Sequence, residues 1–211
     1  VWVYDKISAH QTKAIQLGAT PCQNVPDLIC SVDIVFLVLP AGASPIDLLS
    51  QPKTQQAIHS TSIILQLGTT SVDAALRMEQ IVNQNGAKFA ECILCGPIAM
   101  IIDKDCPLLF AGSDAILEII RPICKQFGEL VVTGAVGQAS AFNLAALGHV
   151  YSSVHGFALG SSMIERSGIE MNTWLKFVKN GIGGHPADFL VDFLFSFKKL
   201  KLFFFSKFHS F

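Results

Sequence analysis

Charge is scarce in this sequence. Only 15% of its 211 residues are Asp, Glu, Lys or Arg, and they cancel to a formal net charge of −1. With no field of one sign, nothing favours nucleic acid or an anionic membrane as a partner. A clean run of about 18 apolar residues, the length that crosses a bilayer, is also missing. The chain opens on an apolar strand, without the basic segment and cleavage site of a secretory leader, so a cytoplasmic location is the expectation. Six cysteines stand singly except for the pair Cys92-x-x-Cys95. No second such pair and no neighbouring His pair completes a zinc site, so these thiols read as buried packing groups rather than ligands or a disulfide scaffold. His149 and His155 lie six apart and do not suit a shared metal. Asp103 and Asp105 flank Lys104 in a turn. No Ser/His/Asp arrangement, phosphate-binding lysine loop or internal repeat stands out.

What is abundant is apolar: 51% of residues are hydrophobic, enough to bury one sizeable core and the start of a second. Apolar runs at 1–4, 33–39, 62–66, 88–94, 106–111 and 129–133 read as strands. Helical stretches fall between them at 9–17, closed by Gly18, and at 46–58, 71–85 and 116–126, with Ser71 able to cap the third. Strands alternate with helices, and several strands are apolar throughout rather than on alternate positions. That is the pattern of an α/β fold whose mostly parallel sheet is covered on both faces.

The texture then changes. From 138 to about 167 runs an unbroken helical stretch rich in Ala, Gly, Ser and Leu, about 45 Å long at 1.5 Å per residue. It is too long for the face of a small sheet and is expected to leave the first domain. Its small residues, among them Ala145, Gly148, Gly156 and Gly160, permit close helix packing within the chain or between subunits. The expected organisation is a sheet domain over 1–137, the long helix and the start of an all-α domain over 138–181, and an atypical tail over 182–211. That tail crowds Phe189, Phe193, Phe195, Phe197, Phe203, Phe204, Phe205, Phe208 and Phe211 among lysines. It is open to three readings: a membrane-touching stretch, an element whose partner is absent, or sequence from outside the original reading frame.

In a sheet of this kind, an acidic residue ending the second strand accepts hydrogen bonds from an adenosine ribose, which favours NAD. Asp5 holds such a place, and Lys6 beside it could instead meet the 2′-phosphate of NADP. The glycine-rich turn that holds a dinucleotide pyrophosphate is not in the sequence. Gly134-x-x-Gly137 and Gly181-x-Gly183-Gly184 are no substitutes, since neither lies between an opening strand and its helix.

The order of motifs is nevertheless specific when taken together. Val3-Tyr-Asp-Lys6, Gly18-Ala19, Asp33-Ile-Val with Leu39-Pro40, Leu67-Gly-Thr-Thr-Ser71, Gly86-Ala-Lys-Phe-Ala-Glu91, Ala111-Gly-Ser-Asp114 and Gly134-Ala-Val-Gly137 follow one another over about residues 1–180. In this the chain resembles the β-hydroxyacid dehydrogenase superfamily, which includes 3-hydroxyisobutyrate dehydrogenases, 6-phosphogluconate dehydrogenase-like proteins and imine reductases. The resemblance implies a Rossmann-type sheet lacking its first strand, with roughly thirty more residues before this start. It also implies a long helix opening an incomplete all-α domain, a nicotinamide cofactor, a small-molecule substrate and a homodimer formed through the long helix. It places Asp5, Lys6, Leu39, Pro40 and Thr69 at the cofactor.

One departure matters for the chemistry. The hydroxyacid dehydrogenases open the long helix with a lysine, in a pattern like G-x-x-x-K-L-A-N-N. Here Asn143 stands where the lysine would be and Leu147 replaces the asparagine four residues on. An amide cannot deliver a proton as an ammonium does. Imine reductases also lack that lysine and often carry a tyrosine two helical turns later. Tyr151, eight residues on and on nearly the same helix face, is then the implied proton donor, and Asn143 a polar substrate anchor. The resemblance implies hydride transfer from NAD(P)H, with NADP favoured and NAD possible, to a C=N or C=O bond. The alternatives are a non-catalytic remnant or dimerisation module of the superfamily, and a 3-hydroxyacid dehydrogenase with some substitute for the lysine.

Overall fold

The computed structural model describes residues 1–39, 44–96 and 98–178. Its first strand, β1 (Trp2–Val3), leads into α1 (Ser8–Gln16) and a second short strand, β2 (Thr20–Pro21), which pairs parallel to β1 with Trp2 opposite Thr20. A five-stranded sheet follows in the spatial order β3 (Ile34–Leu37), β4 (Ile63–Gln66), β5 (Lys88–Leu94), β6 (Leu108–Ala111) and β7 (Leu130–Gly134). All neighbours in it run parallel except β5 and β6, which are antiparallel. One row crosses the whole sheet in register: Leu37, Gln66, Glu91, Ala111 and Gly134.

Continuous apolar runs become strands buried on both faces because side chains alternate across a sheet. Ile64 and Phe89 pack with Val35 and Leu37 against one helical layer, formed by α2 (Val25–Cys30), α3 (Pro45–Leu49), α4 (Pro52–Ala57) and α5 (Val72–Gln84). Ile63, Leu65, Ala90, Cys92, Leu108 and Phe110 face the other way, onto Ile116, Leu117, Ile120 and Cys124 of α7 (Asp114–Cys124). A smaller cluster of Ile93, Leu109 and Ala111 is covered by Ala139 at the start of α8 (Gln138–Arg166). The architecture is therefore the expected α/β sandwich, with helices on both faces of a mostly parallel sheet.

The helix ends follow local chemistry. Ser71 and Ser113 cap α5 and α7 by accepting the N–H of Ala74 and Ile116, so α7 starts two residues before the expected 116. The expected helix over 46–58 is divided into α3 and α4, since Pro52 takes the first turn of a new helix and has no N–H to continue the old one. Four elements had no counterpart among the expected strands and helices: β2, α2, the short α6 (Ile98–Ile102) and α9 (Met171–Phe177). Of these, α2 carried a sequence signal, because Asn24 accepts the Asp27 N–H and Pro26 sits in the first turn.

The chain divides into two compact units between Ala146 and Leu147, nine residues beyond the expected boundary at 137 and inside α8. In the second unit, α9 (Met171–Phe177) is tied to α8 through Trp174, whose Nε1 donates to Ser161 Oγ at 3.0 Å. The Trp174 ring stacks on Phe157 and Phe177, with centroids 6.4 and 6.2 Å apart. Gly160 lies beneath it, where a Cβ would come within 3.1 Å of the ring. Close packing by small residues is thus realised within the chain at Gly160. Gly148 and Gly156 meet nothing within 4 Å among the described residues. The phenylalanine-rich tail and Pro40 lie outside the described residues. Among the described residues no helix is long and apolar enough to cross a membrane.

Candidate functional site

Three polar side chains converge where the carboxyl end of β4 meets the start of α8. Gln66 ends β4 and is 2% exposed. Its Nε2 donates to the Gly68 carbonyl at 3.1 Å, while its Oε1 has no hydrogen-bond partner among the described residues. Thr69 follows on the exposed loop beyond β4, and its Oγ1 accepts the side-chain amide of Asn143 at 3.1 Å. Asn143 itself is 2% exposed, in the second turn of α8. Two residues expected at the site, separated by 74 positions, are therefore joined directly. Leu39 is half-buried just past β3, and its carbonyl approaches Gly68, so the ends of β3 and β4 lie side by side.

What holds Asn143 there is a residue that sequence reasoning passed over. Glu91, central in β5 and fully buried, accepts the N–H of Gly137 at 2.6 Å and that of Ser140 at 3.1 Å, and also the Ser140 hydroxyl. These amides belong to the first turn of α8, where helix N–H groups have no partner within the helix and the dipole favours negative charge. A side chain from the middle of the sheet thus does the work of a local N-cap. Gly137 makes this possible with a backbone φ of +95°, which a side chain would resist, and a Cβ there would crowd Val72 at 3.2 Å. In the sequence Glu91 is one carboxyl within an apolar strand. Its signals are its place at the end of the Gly86–Glu91 motif and the rule that an unpaired carboxyl should not survive in such a strand.

Asp5 and Lys6 lie elsewhere, just beyond β1. Asp5 is turned onto the start of α1: one carboxyl oxygen accepts the Ile7 N–H at 2.8 Å and the other meets His10 Nδ1 at 3.2 Å. The Ile7 bond is the chief cause that holds this carboxyl below the ordinary Asp range; burial opposes it, and His10 and Lys6 add to it. Lys6 is exposed beside it. Tyr151 belongs to the second unit and is 65% exposed. Among the described residues no group of three or more His, Cys, Asp or Glu is placed to hold a metal ion.

An open, mostly parallel sheet with helices on both faces, and polar groups gathered past the ends of adjacent parallel strands, defines the Rossmann-type class of nucleotide-binding folds. The chain belongs to the family of the NAD binding domain of 6-phosphogluconate dehydrogenase, whose model matches residues 1–137. Solved structures agree on the fold. An imine reductase from Myxococcus stipitatus in complex with NADP+ superposes with a TM-score of 0.78 at 21% identity, over 95% of this chain and 70% of that one. A V8 variant of the Myxococcus stipitatus imine reductase in complex with NAD+ gives 0.75 at 24% identity, over 93% and 68%. The 3-hydroxyisobutyrate dehydrogenase of Mycobacterium tuberculosis, solved with L-serine, gives 0.72 at 15% identity, over 87% and 62%. The chain thus spans about two thirds of the length of these proteins. No curated protein sequence matches it.

Proposed function

We propose that this chain is part of a nicotinamide-dependent oxidoreductase of the imine reductase kind, which transfers hydride from NADPH to a C=N bond of a small molecule. The observation that carries the reading is the Asn143–Thr69 pair past the carboxyl end of β4 in a dinucleotide-binding sheet. A hydroxyacid dehydrogenase would present an ammonium at that point to protonate or deprotonate an oxygen. Asn143 instead offers an uncharged, already oriented amide, suited to anchoring a substrate rather than moving its proton. When bound, the cofactor supplies the hydride. The chain's own residues would orient the substrate through Asn143 and Thr69, and Tyr151 is the residue that the family resemblance offers as donor of the proton that the nascent amine nitrogen takes.

Cofactor choice leans to NADPH for a structural reason. Both Asp5 oxygens are engaged by the start of α1, which leaves exposed Lys6 as the group at that strand end suited to a 2′-phosphate. Exposed apolar side chains along α8, among them Tyr151, Leu159 and Met163, support a homodimer through that helix.

The test is fluorescence titration of the purified chain with NADPH and NADH, followed by assays on a cyclic imine and on the matching ketone. Micromolar binding, tighter for NADPH, with turnover of the imine alone supports the reading and means that the pyrophosphate is held by groups other than a glycine-rich turn of this chain. Tyr151→Phe should lower kcat by about 100-fold with little change in KM. A folded chain that binds neither cofactor would sink catalysis by these residues alone and leave either a fragment or a dimerisation module, the second of which sedimentation would show directly.

A further inference from the structure

The Cys92-x-x-Cys95 pair, adjacent in sequence, is separated by the sheet. Cys92 lies in β5 and faces the α7 layer with Leu65 and Phe110, whereas Cys95 packs with Ile93 and Ala139 on the opposite face. Odd spacing along an extended chain puts two side chains on opposite sides. Cys92 finds its neighbour 32 residues away instead: its Sγ is 3.5 Å from the Sγ of Cys124, at the end of α7, and both residues are fully buried. No other pair of thiols among the described residues is in hydrogen-bond contact.

We propose that Cys92 and Cys124 form a modification site, a buried dithiol that hydrogen peroxide converts to a disulfide joining β5 to α7. The proposal is independent of the oxidoreductase reading. Closing the bond requires the two sulfurs to approach by about 1.5 Å, from contact to bonding distance. The surroundings are apolar: Leu65, Leu108, Phe110 and Ile120 enclose the pair. A small neutral oxidant can reach sulfur there as the helix opens locally, whereas a charged peptide disulfide cannot. The two thiols share one hydrogen bond in which either sulfur can be the donor, so either can be the attacking group. The steps that follow for Cys124 hold equally with the two exchanged.

The Cys124 thiolate forms an S–O bond as the peroxide O–O bond breaks, and the departing hydroxide takes up a proton to become water. The Cys92 sulfur then displaces the hydroxyl from this sulfenic acid. The S–S bond forms, the S–O bond breaks, and the hydroxide leaves with the Cys92 proton as a second water. Two electrons pass from the two sulfurs to the peroxide oxygens.

The test is to treat the native chain with hydrogen peroxide, block remaining thiols in denaturant, and map peptides without reduction. The expected product is a Cys92 peptide joined to a Cys124 peptide, released by dithiothreitol. The oxidised chain should melt about 5 °C higher, because the link closes a loop of 32 residues. Cys95→Ser should retain the crosslink and Cys124→Ser should abolish it. If Cys124→Ser does not fold, the peptide map of the native chain and of Cys95→Ser still decides. Cys92 and Cys124 both remaining blockable while exposed Cys30 is oxidised would overturn the proposal, as would Cys92 joined to Cys95 or Cys106.

Discussion

The β1–α1–β2 segment and the β3–β7 sheet both carry large apolar side chains, yet they are held in different ways. In β4 and β6 every side chain is buried. In α1 none is, and Trp2, Ile7, Ile15 and Leu17 are each more than 40% exposed. The first segment is tied instead by backbone bonds from Thr20 to Val1 and from Cys22 to Val3, and by Gln11 donating to the Cys22 carbonyl at 2.9 Å. Apolar residues stabilise a fold through the surface they remove from water. Their mere presence in a strand or helix contributes little, and the two regions separate those quantities within one chain.

The sharpest test of that contrast is a pair of truncations. Phe110→Ala, at a fully buried position, should cost about 3–5 kcal/mol in denaturant unfolding, and Leu17→Ala, at 89% exposure, less than about 0.5 kcal/mol. Similar losses at both sites would mean that the first segment is covered in solution by something else. Next in size is Glu91→Ala. Stranding the Gly137 and Ser140 amides in a buried place should cost about 3 kcal/mol and speed hydrogen exchange in the first two turns of α8 ahead of β4. Uniform exchange in both elements would show that Glu91 contributes to the whole sheet rather than to the helix start.

The smallest effect lies in the exposed segment. Asp5 has its carboxyl lowered on folding, so its contribution is present above the ordinary Asp value near 4 and is lost as pH falls through the lowered one. Asp5→Asn should therefore loosen α1 slightly at neutral pH and make no difference in strong acid, as read from the Ile7 amide signal in NMR titration. A variant equally perturbed at both pH values would remove charge from the explanation.

How far the sequence foretold all this depends on which force shaped each part. The six expected strands are present; β4 and β6 were the plainest, because a doubly buried strand must be apolar along its length, a pattern visible without coordinates. β2 escaped notice because a two-residue strand containing Pro21 carries no periodicity at all. α2 was legible in Asn24 and Pro26, and the division between α3 and α4 in Pro52 and the polar run around it, which a single helical reading of 46–58 ran across. At the site, resemblance brought Thr69 and Asn143 forward separately, and the structure joins them by a hydrogen bond that the sequence did not indicate. The role of Glu91 stayed hidden because a buried polar group is explained only by its partners, and Gly137 and Ser140 lie far off in sequence.

That distance has a consequence for how the protein comes into being. Thr69 leaves the ribosome 74 residues before Asn143, and Glu91 49 residues before Ser140. Until α8 is made, the carboxyl end of β4 and the Glu91 carboxyl have no covering, and the nascent sheet carries a buried-to-be charge facing water. The site is thus the last part of the first unit that synthesis can complete. A probe placed on Thr69 would report the end of folding rather than its beginning.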